Sequence, residues 1–155
     1  MKKIYAIVLG AVLMFSIPLF AQTVPISGVK GIETVTVQVE KMDPLGKRLG
    51  LNPDVYKAFL EEELKTVGVP YADGDHPILS LKLMTVKPFL AYATAYSITL
   101  RTWVHPEDAP NQRILATVWQ RQGLVYARKS KVSAELNAGI REGLQRLAED
   151  LKEAN

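Results

Sequence analysis

The sequence predicts an α+β fold: a two-layer sandwich in the order β-α-β-β-β-α, with a four-stranded, mostly antiparallel sheet and two helices on one face. Four segments alternate between apolar and polar residues, which is the pattern of strands with one buried face. Two further segments repeat apolar residues every three or four positions, as amphipathic helices do. Short connections join the last three strands and favour antiparallel pairing. Helices that cover one face would leave the other face open to water.

Residues 1–21 have the pattern of a secretory signal peptide. Lys2 and Lys3 precede an unbroken apolar run over residues 4–15, Pro18 interrupts the helix pattern, and Ala21 is a small residue suited to cleavage. An uncleaved anchor is the alternative, because residues 4–20 approach the length that spans a bilayer. We expect cleavage, a periplasmic or secreted location, and no transmembrane segment afterwards.

The composition predicts one domain, residues 32–155, after a flexible leader at residues 22–31 that contains proline and glycine. Removing Lys2 and Lys3 from the 19 basic residues leaves 17 against 16 acidic residues, a net charge near +1. This balance argues against a nucleic acid partner, which needs clustered basic residues. Cysteine is absent, which excludes disulfides, thiolate catalysis, cysteine-ligated metals and a cysteine-linked lipid anchor.

The first strand and the first helix have clear boundaries in the sequence. Valines alternate with polar residues over residues 32–40, and the Pro- and Gly-containing segment KMDPLGKRLGLNP then predicts a loop. Asn52 is suited to cap a helix at residues 53–67, because its side chain accepts from free backbone amides and Pro53 tolerates the first helical position. Gly68 is a typical helix-ending residue.

The remaining elements are three strands and a closing helix. The strands lie in the segments ILSLKLMTV, YATAYSITLRTWV and RILATVWQRQ. The helix follows Ser133, a plausible N-cap, and carries one apolar stripe. Gly139 and Gly143 lie four residues apart beside that stripe, a spacing that we interpret as close packing on the sheet.

The polar register of the third strand contains candidate binding residues. Arg101 and Trp103 fall in its polar register, on the face that the helices leave open, and arginine and tryptophan are enriched in interface hot spots. Alternatively, a neighbouring loop covers Trp103 near the end of the strand. Lys82 and Met84 are expected on the adjacent strand, but Trp119 fits either face, because a one-residue slip exchanges the two.

A metal site is the alternative location for function. His76 directly precedes the second strand and His105 directly follows the third, so a hairpin would bring both to one end of the sheet. Asp73, Asp75 and Glu107 lie in the same two loops, and imidazoles with carboxylates are typical ligands of zinc, manganese or non-haem iron. The competing interpretation is ordinary turn chemistry, in which these side chains bond to their own loops.

Other sequence signals of catalysis are weak. The sequence lacks a Gly-rich phosphate loop after a strand and a nucleophile-elbow serine, so we expect no cofactor and favour a protein that is not an enzyme. The basic run at residues 128–131 is typical of a solvated surface, with weak contact to anionic lipid or cell-wall polymer as the alternative.

The segments LNPDVYKAFLEEELKTVGVP, PILSLKLMTV, YSITLRTW and ILATVW, with the final AEDLKEAN, carry a resemblance over residues 51–155. They resemble a group of small exported bacterial α/β proteins of uncharacterised function. The resemblance implies a compact α/β domain and export, and it supplies no catalytic residues. At the level of layout alone, the chain is also similar to envelope accessory proteins that dock onto transport or assembly machines. Those proteins usually carry a lipidated cysteine, which this sequence lacks.

Two functional hypotheses follow, beside a third interpretation as a purely structural or stress-related envelope protein with no specific ligand. The leading one is a non-enzymatic envelope module that binds another envelope protein, or a second copy of itself, through the open sheet face at Arg101 and Trp103. The other is a metal-dependent enzyme with its site at His76 and His105.

Overall fold

The computed structural model describes residues 26–155, so the predicted signal peptide lies outside the described residues. Within 26–155, no helix is long and apolar enough to cross a membrane. In chain order the elements are a 3-10 helix η1 (Ile26–Val29), β1 (Thr36–Val39), α1 (Pro44–Arg48), α2 (Pro53–Val67), β2 (Ile78–Val86), β3 (Tyr92–Val104), β4 (Ile114–Ala127) and α3 (Lys129–Ala154).

The four strands form one sheet in the order β1-β2-β3-β4. β1 runs parallel to β2, whereas β2, β3 and β4 form an antiparallel meander. A parallel neighbour requires a crossover, and α2 supplies it between β1 and β2. The predicted α+β fold class is confirmed.

The core lies between one face of the sheet and the two long helices. Leucines from α2 and an apolar stripe from α3 pack against the apolar register of β2 and β3, where most side chains are fully buried. The two helices are also tied to each other, because the Arg141 guanidinium of α3 donates to the buried Glu63 carboxylate of α2 at 2.6 to 3.0 Å. The largest of these core side chains are Leu60, Leu64, Leu79, Leu81, Ile98, Leu100, Leu136, Ile140, Leu144 and Leu147.

The short helix α1 lies where the sequence predicts a loop. The Asp43 side chain caps it by accepting from the backbone N–H groups of Leu45 and Gly46, both at 2.8 Å, and it also accepts from the N–H of Thr85 at 2.8 Å. Burial raises the pKa of Asp43, but these backbone hydrogen bonds outweigh it and lower the pKa below its usual value. α1 is thereby fastened to the end of β2.

Residues 28–31, at the end of the segment predicted as a leader, pack against the domain. Val29 is 1% exposed, and a Cβ built on Gly28 would lie 3.0 Å from the carbonyl oxygen of Val118 in β4. The backbone N–H of Gly31 donates to the Asn155 side chain at 2.7 Å. An apolar anchor and a hydrogen bond to the end of α3 thus hold this segment.

A β-bulge in β4 decides which way its side chains point. Leu100 pairs with Trp119, whereas the next residue, Arg101, pairs with Thr117. Val118 is therefore an extra residue on β4, and it shifts the alternation by one position. Before the bulge Thr117 lies on the open face, and after it Trp119 lies on the helix-covered face.

Close packing of α3 on the sheet depends on glycines. A Cβ on Gly123 of β4 would lie 2.3 Å from the Tyr96 ring, and one on Gly139 of α3 would lie 2.7 Å from the Tyr96 hydroxyl. A Cβ on Gly143 would lie 2.7 Å from Ile98. The close packing predicted for the two helical glycines is confirmed.

Candidate functional site

The face of the sheet that no long helix covers has three zones. Its centre is polar, with serine, threonine, lysine and glutamine side chains from β2, β3 and β4. Arg101 and Trp103 lie at one end, and exposed apolar side chains lie at the other. The central residues are Ser80, Lys82, Ser97, Thr99, Gln120 and Gln122.

Arg101 is held on this face by its neighbours in the sheet. Its Nη2 donates to the Ser80 hydroxyl at 3.2 Å, and that hydroxyl lies 3.3 Å from the hydroxyl of Thr99. Ser80 is 1% exposed, so this contact is sheltered from water. The Arg101 Nε is buried and has no hydrogen-bond partner within residues 26–155. A buried donor without a partner costs free energy.

Trp103 extends the site toward solvent. It is 46% exposed, and its neighbour across the ladder is Leu115 of β4. The Arg113 guanidinium lies 5.3 Å from the centre of its ring, within the range of a cation–π contact. An indole with one partly free face and a cation over it provides a rigid apolar surface with positive charge beside it.

The loop before β2 forms the opposite wall. The Thr36 hydroxyl of β1 lies 2.9 Å from the Ala72 carbonyl and 3.2 Å from that of Gly74, and it donates to them. Gly74 has φ 141°, a conformation that favours glycine. These contacts hold the loop against β1 and place Asp75 and His76 over the end of the open face.

The two walls enclose a cleft of about 200 Å³. It brings Arg101 and Trp103, predicted as binding residues, together with Asp75 and His76, predicted as alternative metal ligands. Thr36 and Gln38 of β1 also line it. Thr36, Gln38 and Arg113 were not predicted as site residues. Thr36 and Gln38 reach the cleft because β1 pairs with β2, and Arg113 because it lies over the Trp103 ring, and no local sequence pattern encodes either contact.

The other predicted binding residues do not reach the cleft. Lys82 is exposed on the central zone, 3.9 Å from the Glu40 carboxylate. Met84, 58% exposed, pairs with Ala95, which places it about 20 Å along the sheet from Arg101 at the usual rise per residue.

Trp119 is not part of the open face, which corrects its inclusion among the candidate binding residues. It is 7% exposed, and its indole Nε1 donates to the Asp150 carboxylate of α3 at 2.8 Å. The physical reason is the β-bulge at Val118, which shifts the alternation by one residue and so places Trp119 on the helix-covered face. Trp103 is therefore the tryptophan of this face within the described residues.

The five predicted metal ligands are not assembled into one group. The His105 Nδ1 donates to the carbonyl of Pro110 at 2.8 Å, which is turn chemistry. Asp73 lies 3.8 Å from the Lys57 ammonium and is almost fully exposed. Over residues 26–155, no three or more histidine, cysteine, aspartate or glutamate side chains are grouped to hold a metal ion. The predicted ligands were Asp73, Asp75, His76, His105 and Glu107.

Comparisons with known proteins assign no family. No protein-family model matches the sequence, and no curated protein does. Among solved structures, the chain is similar to a minor lipoprotein from Acinetobacter baumannii, with 10% identity and a TM-score of 0.29 over 78% of this chain and 90% of that one. A similarity of this size indicates neither a shared fold nor a shared function.

Proposed function

We propose that the protein is an exported, non-enzymatic module of the cell envelope that binds a partner protein in the cleft lined by Arg101 and Trp103. One observation carries the proposal: an arginine and a tryptophan, residue types that dominate interface hot spots, line one cleft on an uncovered sheet face. Export is supported by the signal-peptide pattern of residues 1–21.

The chemistry of the cleft favours a partner segment that presents an acceptor oxygen beside an apolar side chain. Arg101 lines the cleft and Arg113 lies over the Trp103 ring, so both supply positive charge, and a partner carboxylate would accept charge-assisted hydrogen bonds from an accessible guanidinium nitrogen. The Trp103 ring offers the apolar surface. Thr36 and Gln38 add polar groups that would orient an extended backbone.

The cleft lining supports binding over catalysis. Asp75 is the one carboxylate among the described lining residues, and the lining pairs no nucleophile with a base. Acid–base or nucleophilic catalysis requires such a pair in a defined geometry.

The test is capture of partners from a solubilised envelope fraction by the tagged, exported protein. We expect Trp103→Ala and Arg101→Gln each to reduce capture by about tenfold or more, the usual effect at a hot spot. Val55→Ala is the matched control, because Val55 is 62% exposed and lies on α2, away from the cleft. Its capture should equal that of the wild type.

Undiminished capture by both cleft variants would refute the proposed site. The export part is tested separately by the intact mass of the exported protein, which should correspond to a chain that begins at Gln22. A mass that includes residues 1–21 would contradict cleavage.

A further inference from the structure

The end of the sheet opposite the cleft carries an exposed apolar surface. Phe89 and Leu90, in the loop between β2 and β3, are 92% and 93% exposed. Met84 and Leu124 flank Ala95 on the adjacent open face, and Val86 and Tyr126 flank Ala93 in the next row. These four side chains are 58% to 68% exposed. We call the six residues the apolar tip: Met84, Val86, Phe89, Leu90, Leu124 and Tyr126.

The loop backbone holds the tip in a costly conformation. Phe89 has φ 55°, in the left-handed region that side chains with a Cβ rarely adopt. The turn is closed by the N–H of Ala91, which donates to the carbonyl of Pro88 at 3.4 Å. The chain thus adopts an unfavourable φ where two large apolar side chains face water. A contiguous exposed apolar patch of this kind marks an interaction surface.

Basic residues surround the tip. The segments 41–48, 84–92 and 124–131 hold seven basic residues and one acidic residue, Asp43, a net charge of +6. The rest of residues 22–155 holds 10 basic and 15 acidic residues, a net charge of −5. All seven are exposed, and none forms a salt bridge within the described part of the chain. We call them the basic collar: Lys41, Lys47, Arg48, Lys87, Arg128, Lys129 and Lys131.

The fold brings the collar to the tip from three directions. The contact of Asp43 with the Thr85 N–H fixes α1 beside the end of β2. Tyr92 pairs with Ala127, so the residues that begin α3 lie beside the β2–β3 loop. Lys87 belongs to that loop, and its ammonium lies 5.6 Å from the centre of the Tyr92 ring.

We propose that the apolar tip and the basic collar dock the protein on the surface of an anionic phospholipid bilayer, with Phe89 and Leu90 inserted at the headgroup boundary. Apolar side chains that enter this boundary and cations that meet anionic headgroups are the two components of peripheral membrane binding. A second copy of the chain does not suit this surface, because a symmetric dimer would place two surfaces of net charge +6 against each other. Docking in this way directs the cleft, at the other end of the sheet, away from the bilayer.

The test measures sedimentation of the exported, mass-verified protein with lipid vesicles. We expect binding to vesicles that mix phosphatidylglycerol with phosphatidylethanolamine, and at least about tenfold weaker binding to phosphatidylcholine vesicles. Added salt should weaken the binding, because exposed charges are screened beyond about 10 Å at 0.1 M salt. Equal binding to both vesicle types, or binding to neither, would overturn the proposal.

Two pairs of variants separate the contributions of tip and collar. Phe89→Ser with Leu90→Ser should weaken binding to the anionic vesicles by about tenfold or more, whereas Val55→Ser, at an exposed apolar site on α2 away from the tip, should not. Lys129→Glu with Lys131→Glu should also weaken it by about tenfold or more. Lys30→Glu with Lys152→Glu, near the far end of α3, makes the same change in net charge and should have little effect.

Two results distinguish a bilayer from a soluble polyanion. In a Phe89→Trp variant, the fluorescence that the new tryptophan adds to the wild-type signal should shift to shorter wavelength on binding and be quenched by brominated lipid, because the new indole enters the bilayer. If the Phe89→Ser, Leu90→Ser double variant binds as tightly as the wild type, and soluble polyphosphate displaces both equally, the collar is a polyanion site and the membrane assignment is wrong.

Discussion

The Tyr96 ring packs directly against Gly123. We therefore expect Gly123→Ala to destabilise the wild-type protein but to stabilise a variant that lacks the Tyr96 ring. A Cβ at Gly123 would lie 2.3 Å from the Tyr96 Cζ, more than 1 Å inside ordinary contact. The ring cannot retreat freely, because Gly139 of α3 closes its other side, where a Cβ would lie 2.7 Å from the hydroxyl. We expect Gly123→Ala to lower the free energy of unfolding by about 1 to 3 kcal/mol, the usual cost of overpacking.

Removing the ring should reverse the effect. Gly123 has no positive φ, so alanine suits its backbone and should stabilise the strand by about 0.5 to 1 kcal/mol once Tyr96→Ala has removed the clash. The double-mutant cycle should give a coupling free energy of about 1.5 to 4 kcal/mol, the sum of that cost and that gain. Urea unfolding of the four chains, followed by circular dichroism, measures it, with Tyr96→Leu as the background if the alanine variant does not fold. An equal cost of Gly123→Ala in both backgrounds would refute the packing described for Tyr96.

Two further predictions concern the tryptophans and the cap of α1. Trp119→Ala should lower the free energy of unfolding by about 3 to 5 kcal/mol and Trp103→Ala by about 1 kcal/mol or less, and equal losses in urea unfolding would contradict the bulged register. Asp43→Ala should cost about 2 to 3 kcal/mol at pH 7, because α1 loses its cap and the Thr85 N–H its acceptor. The carboxylate of Asp43 has a pKa below its unfolded value of 3.8, so its charge-dependent stabilisation is present above pH 3.8 and lost as the pH falls through the folded pKa. Asp43→Asn should therefore flatten the acid side of the stability profile, and an unchanged acid slope would refute this role.

The periodic elements could be predicted because burial on one face imposes a repeat on the sequence. The β-bulge in β4 could not be predicted from the sequence. Apolar residues occupy both registers around Val118 and Trp119, so the pattern RILATVWQRQ fits either face. The deciding feature is one unpaired residue, which depends on packing against η1 and α3.

One wall of the cleft could be predicted from the sequence, and the opposite wall could not. Arg101 and Trp103 followed from the alternation of β3, but the opposite wall needs β1 beside β2, and strand order is a tertiary property. α1 was missed although Asp43 and Pro44 provide the same start signal as Asn52 and Pro53. Its five residues include a glycine, so no helical periodicity develops.

The parallel pairing of β1 has a consequence for the order of folding. β1 is four residues long, and a connection that contains both α1 and α2 separates it from β2. The β2, β3 and β4 strands pair across short connections, so their contacts form at a lower loop-closure cost. We therefore expect β1 to join the sheet last. Because Thr36 of β1 holds the loop that carries Asp75 and His76, the cleft is complete only when folding is complete. Under the proposed export, a chain that crosses a membrane unfolded cannot engage the proposed partner at this site before it reaches its final structure.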